Sequence, residues 1–124
     1  MKQRKKIMII DDNEEVLQVT RDLLEHEGYD VVTHRYALGA TSAIRANQPD
    51  LVLLDINMPA LSGETLAPII RSNVHTGRVP ILFYSSNDED SLLESVMRYG
   101  VAGYVCKGNI PDLRNKVFRH THTV

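Results

Sequence analysis

Short apolar runs alternate along this chain with longer stretches in which apolar residues recur every three or four positions. Lys6 to Asp11 contains Ile7-Met8-Ile9-Ile10, a short isoleucine-rich run that predicts a buried strand. Asn13 or Asp12 then caps a helix, with Glu14 and Glu15 in a first turn where the macrodipole favours anions. Val16, Val19, Leu23 and Leu24 carry its helical spacing, and Gly28 is its stop. Asp30 to Thr33 is a second strand. Leu38 to about Asn47 is a second helix, by the spacing of Ala40, Ala43 and Ile44. Leu51 to Asp55 is the most apolar strand and is expected at the centre of the sheet.

Leu66, Ile69 and Ile70 mark a third helix, with Pro68 expected near its first turn, where a missing N–H costs least. Ile81 to Ser85 is a strand. Asn87 or Asp88 caps a helix carrying Leu92, Leu93, Val96 and Met97 and stopped at Gly100. Gly103 to Cys106 is the last strand. Pro111 suits position N1 of a last helix with Leu113, Val117 and Phe118. That helix is expected to be short, with a flexible tail over residues 119–124 that includes His120 and His122. The alternation is (βα)5, an α/β fold with a doubly wound, five-stranded parallel sheet covered on both faces.

With 124 residues, one domain is expected, its core spanning about residues 6–118. Hydrophobic residues make up 43%, enough for a core, and a net charge of -2 argues against nucleic acid as the main partner. The basic start, Lys2, Arg4, Lys5 and Lys6, reads as a solvated tail. A single cysteine, Cys106, allows no internal disulfide. No run approaches the roughly 20 apolar residues of a membrane span, so a cytoplasmic protein is expected. His26, His34, His75, His120 and His122 form no metal-ligand pattern.

The polar residues that end the strands change the picture. Strand one ends in Asp11-Asp12, strand three in Asp55, strand four in Ser85-Ser86 and strand five in Lys107. In an open parallel sheet the carboxyl edge is where ligands bind. Asp11, Asp12 and Asp55 are hard oxygen ligands suited to Mg²⁺ or Mn²⁺, not zinc. Three carboxylates repel one another unless a cation neutralises them. Phosphoryl transfer needs positioning and cations around the phosphoryl oxygens. A carboxylate attacking phosphorus gives an acyl phosphate, and Asp55, alone on the central strand, is the chosen nucleophile. Each residue singly fits a turn or a helix cap; their joint placement at strand ends is what points to a site.

Asp11-Asp12, Asp55-Ile56-Asn57-Met58-Pro59 with Gly63, Ser85-Ser86, and Gly103-Tyr104-Val105-Cys106-Lys107 resemble the receiver domain of two-component response regulators, over about Lys6 to Phe118. The resemblance implies a flavodoxin-like strand order, 2-1-3-4-5. It implies that Asp55 accepts a phosphoryl group from a phosphohistidine on a histidine kinase or histidine phosphotransfer protein. Asp12 would bind Mg²⁺ directly, Asp11 mostly through water, and Asn57 by its backbone carbonyl. Ser85 and Lys107 would grip the phosphoryl group, and Ser85 and Tyr104 would move together as the switch. Asn57 and Asn87, with Ser86 beside them, would tune the lifetime of the acyl phosphate. Gly108 follows Lys107 where many receivers have a proline.

The function expected is a phosphorylation-controlled signalling switch in a phosphorelay, catalysing only its own phosphorylation and dephosphorylation. Direct nucleic-acid or membrane binding is not expected, and any homodimer is expected to depend on phosphorylation. One alternative is an interaction module that no longer uses phosphate; the complete set of site residues speaks against it. Another is a Mg²⁺-dependent phosphatase. Such enzymes generally place an acid two residues after the nucleophile, where Asn57 stands here.

Overall fold

The computed structural model describes residues 4–122; Lys2 of the basic start and residues 123–124 of the expected tail lie outside them. Five strands, β1 (Lys6–Ile10), β2 (Asp30–His34), β3 (Leu51–Leu54), β4 (Ile81–Ser85) and β5 (Gly103–Cys106), alternate with five helices. The helices are α1 (Glu14–His26), α2 (Ala40–Asn47), α3 (Gly63–Ser72), α4 (Glu89–Tyr99) and α5 (Ile110–Thr121). The sheet is parallel, in the order β2-β1-β3-β4-β5, so β3 is central as its composition predicts. Its four residues are all buried.

Strand alternation divides the apolar runs between two cores. Ile7, Ile9, Leu51, Leu53, Leu82 and Val105 face α1 and α5. Met8, Ile10, Val52, Leu54, Ile81 and Phe83 face α2, α3 and α4. A strand flanked by helices on both faces has no polar side to show, which is why these runs lack polar alternation.

The helix caps follow from the sequence. Asn13 caps α1 through Val16 N, Ser62 caps α3, Asp88 caps α4 through Ser91 N, and Asn109 caps α5. Several expectations need correction. The stripe of α1 that enters the core is Leu17, Thr20 and Leu24, and Val19 is 58% exposed. Helix α2 begins two residues later than Leu38, because Gly39 takes φ +80° and turns the chain into the helix. Pro68 is the sixth residue of α3, past its first turn. On α4 only Leu92 is buried, and Leu93 and Met97 point to solvent. Helix α5 is not short. It runs twelve residues, through Arg119 and His120 to Thr121. Thr121 is buried and its hydroxyl donates to Val117 O at 2.8 Å, so residues 119–121 belong to the helix and not to the tail expected there. Ile110 precedes Pro111 in the first turn.

Candidate functional site

Backbone ladders bring the acidic residues together. Asp55 N donates to Ile10 O at 2.9 Å and Asp11 N to His34 O at 3.1 Å, each extending the sheet by one rung past its strand. Asp11 and Asp55 are 0% and 3% exposed. Asp12 is half-buried. The three carboxylates each place an oxygen within 4.8 Å of the others. Gly63 lets the next helix begin against this strand end, since a Cβ there would collide with the Asp55 carbonyl. The glycine of the β3–α3 segment is therefore a packing requirement of the site.

Lys107 reaches in from the end of β5. Its Nζ lies 2.7 Å from Asp11 Oδ2 and 3.4 Å from Asp55 Oδ1. Neither of these buried oxygens has a hydrogen-bond donor of good geometry among the described residues; the ammonium meets them as an ion. Burial, and then the charge of Asp11, raise the Asp55 pKa from 3.8 to about 6, against the opposing pull of Lys107. Burial pulls the Lys107 ammonium down, but the close contact and charge of Asp11, with Asp55, outweigh it and hold its pKa above the ordinary value. One ammonium faces three carboxylates, and the excess of negative charge at a largely buried site is the electrostatic condition for a bound cation. The donor set, three carboxylates and adjacent backbone carbonyls, fits a hard divalent metal. Asp12 fits it best, because its carboxylate pairs with nothing in the described chain while Asp11 Oδ1 already accepts from Asn13 N at 2.9 Å.

Ser85 is fully buried beside this cluster. Its Oγ accepts from Asn87 N at 3.2 Å and from Asn57 Nδ2 at 3.3 Å. The same Asn57 Nδ2 donates to Asn87 Oδ1 at 2.8 Å. Asn57 and Asn87, thirty residues apart, thus form a bridge between the β3–α3 and β4–α4 loops, and Ser86 lies exposed between Ser85 and Asn87. Sequence spacing placed both asparagines near the site but carried no signal that they bond each other. Gly108 has φ +93°, a conformation closed to proline, so this chain turns after Lys107 in its own way. Tyr104 is half-buried on β5. Its hydroxyl donates to Glu89 Oε1 at 2.7 Å, a partner that nothing in the sequence singled out.

Sequence reasoning also missed the support beneath Lys107. Tyr84, buried on β4, shares a hydrogen bond of 2.9 Å with Thr20 of α1, and Lys107 Nζ stands 5.9 Å from its ring centroid. Burial raises the Tyr84 phenol pKa. The signal was available: Thr20 falls one turn from Leu17 and Leu24, inside an otherwise apolar stripe. Beyond it, Val16, Val19, Leu23 and Ile110 line an apolar groove that ends at Lys107.

Comparisons with known proteins bear on the chain as a whole. The family model of the response regulator receiver domain matches residues 7–118. The polar-differentiation response regulator DivK of Brucella ovis is 31% identical over 107 residues, covering 83% of this chain and 84% of DivK. Protein RcaC of Microchaete diplosiphon is 31% identical over 120 residues, 96% of this chain, and the chain spans only 18% of RcaC. Among solved structures, the receiver domain of the sensor histidine kinase PA1611 of Pseudomonas aeruginosa superposes with a TM-score of 0.86 at 23% identity. The match covers 98% of this chain and all of that one. That structure holds a magnesium ion in its active-site cleft.

Proposed function

The chain belongs to the receiver-domain family of two-component response regulators, and from this we propose that it is a phosphorylation-controlled switch whose phosphoacceptor is Asp55. The observation that carries the proposal is the cluster of buried Asp11 and Asp55 with half-buried Asp12, with Lys107 reaching into it. A carboxylate this desolvated is a better nucleophile than a hydrated one, and Lys107 is placed to neutralise charge as the phosphoryl group arrives. An Asp55 carboxylate oxygen attacks phosphorus in line. The phosphorus–nitrogen bond of a phosphohistidine whose other ring nitrogen is protonated breaks, and the electron pair stays on the departing nitrogen, so the ring leaves as neutral imidazole. The product is an acyl phosphate. Asp12, Asp55 and the Asn57 carbonyl are assigned to Mg²⁺ or Mn²⁺, with Asp11 acting through water. When bound, the ion supplies charge neutralisation at the phosphoryl oxygens. Ser85 is assigned to donate its hydroxyl to one of those oxygens and Lys107 its ammonium to another.

The phosphoryl donor is a histidine kinase or histidine phosphotransfer protein. The apolar groove along α1 opens onto Lys107 and suits a helix of that donor, laid so that its histidine meets Asp55. Among the described residues no helix is long and apolar enough to cross a membrane; with the family membership, this supports a cytoplasmic setting. Asn57, Ser86 and Asn87 flank the approach of water to the acyl phosphate and are assigned to its lifetime. The protein acts on no external substrate, because Asn57 cannot serve as the general acid of a phosphatase.

Intact mass tests the reading. Incubation with Mg²⁺ and acetyl phosphate or phosphoramidate is expected to add one phosphoryl group to the wild type and none to Asp55→Asn. Equal labelling of the variant would move the phosphosite elsewhere.

A further inference from the structure

The β4–α4 connection, residues 85–89, is tied at both ends. At one end Asn87 N holds Ser85 Oγ, and the Asn57 side chain bridges to Asn87 Oδ1. At the other end the Glu89 carboxylate, in the first turn of α4, accepts the Tyr104 hydroxyl at 2.7 Å. Tyr104 pairs in register with Phe83, and Ser85 lies two residues further along β4. Ser85 and Tyr104 therefore belong to the same face of the sheet. Lys116 of α5 holds Tyr104 from its other side. Its Nζ donates to Tyr104 O at 2.6 Å, stands 4.3 Å from the ring centroid and meets Asp112 Oδ2 at 3.1 Å.

Building on the switch reading above, we propose that the Glu89 carboxylate is a latch that keeps Tyr104 turned outward, and that this latch sets how strongly the phosphoryl site must pull before the β5 face responds. A hydrogen bond to an ionised acceptor is stronger than a neutral one. The Tyr104 phenol, pushed up to about 12 first by its bond to Glu89, reports the same contact. The latch and the site share one short loop. Drawing Ser85 and Asn87 toward a phosphoryl group displaces Glu89 two residues on and slackens its grip on Tyr104. A ligand shifts a two-state equilibrium only by its differential affinity, so any stability the latch gives the outward state reduces the apparent affinity of the site. Glu89 is exposed, and its removal leaves the core intact.

Beryllofluoride with Mg²⁺, titrated by NMR, is the probe. Glu89→Ala is expected to tighten apparent beryllofluoride affinity about two- to fivefold, the range for an exposed charged pair. Tyr104→Phe, which keeps the ring and loses the hydroxyl, is expected to match it, and the double variant to exceed neither. Unchanged or weaker binding in Glu89→Ala overturns the latch, as do effects that add in the double variant. Failure of beryllofluoride to bind the wild type sinks the phosphoacceptor reading instead. The latch is then judged on the metal-free protein by Tyr104 rotamer populations. A fall in the outward population in Glu89→Ala supports it, and identical populations in the two proteins refute it.

Discussion

Helices α1 and α4 flank the same site and are held in opposite ways. Helix α1 sinks Leu17, Thr20 and Leu24 into the core facing α5, and its Thr20 hydroxyl is bonded to the buried Tyr84 beneath Lys107. Helix α4 buries Leu92 alone. Val96 and Tyr99 rest half-buried against the core on that side of the sheet, and polar contacts add to them: Glu89 with Tyr104, Ser95 Oγ with Glu64, and Arg71 Nη1 with Tyr99 O at 2.9 Å. Buried apolar area is lost steeply when a helix shifts, because interiors are close-packed. Exposed polar contacts exchange for water at little net cost. One flank of the phosphoryl site is thus built to stay and the other to move, on the same sheet and within one small domain.

The widest separation is expected in core truncation. Leu24→Ala on α1 should cost about 2–5 kcal/mol of unfolding free energy, and Leu93→Ala or Met97→Ala on α4 under about 0.5 kcal/mol. Urea unfolding measures both; equal losses on the two helices would erase the distinction between them.

Next in size is the strain held by the site itself. The Asp55 pKa is about 6 in the fold against an ordinary 3.8, so the folded state binds this proton more tightly than the unfolded chain does. Metal-free protein should therefore lose stability as pH rises from about 4 to about 6. Asp55→Asn should be more stable than the wild type at pH 7 without metal, by about 1–3 kcal/mol, and the gap should close toward pH 4. Added Mg²⁺ should stabilise the wild type only. Parallel pH profiles of the two proteins in chelator would show that Asp55 carries no such penalty.

Thr20→Val keeps the shape of α1 and leaves the buried Tyr84 hydroxyl without its partner, at about 1–3 kcal/mol. Thermal unfolding should fall accordingly, and a neutral result would mean that water replaces Thr20 and that this flank is less tightly built than its packing implies. Ser95→Ala, on the α4 flank, removes a half-buried hydrogen bond to Glu64 and should cost about 0.5–1.5 kcal/mol. It should also raise hydrogen exchange across residues 89–99. Exchange that rises instead in residues 14–26 would reverse the assignment of the mobile flank.

Much of this was legible in the chain. Five apolar runs at regular spacing dictate five strands, because short runs without polar alternation must be covered on both faces. Parallel pairing then follows from the helices between them. Helix caps and the stop at Gly100 are local events: local rules narrowed the caps to Asn13 or Asp12 and to Asn87 or Asp88, of which the structure uses Asn13 and Asp88, and they found the stop. The acids, Ser85 and Lys107 were found because strand ends are one-dimensional landmarks. Helix faces were less well read. Val19, Leu93 and Met97 have the spacing of core residues yet face solvent, since periodicity defines a stripe but not whether anything covers it. The α5 terminus departs from expectation because a polar run has the composition of a frayed end whether or not it is helical, and here Thr121 bonds Val117 and is buried.

The sequence by itself determined which chemical groups stand at the carboxyl edge of the sheet, because backbone order and strand length are written in the apolar pattern. Only the tertiary structure decided how those groups answer one another. Asn57 meets Asn87 across thirty residues, Thr20 meets Tyr84 across sixty-four, and Glu89 meets Tyr104 across fifteen. Side-chain hydrogen bonds are directional and extend about 3 Å, so they depend on how loops from separate strands converge. That convergence is set by the packing of the whole domain, which no local pattern encodes.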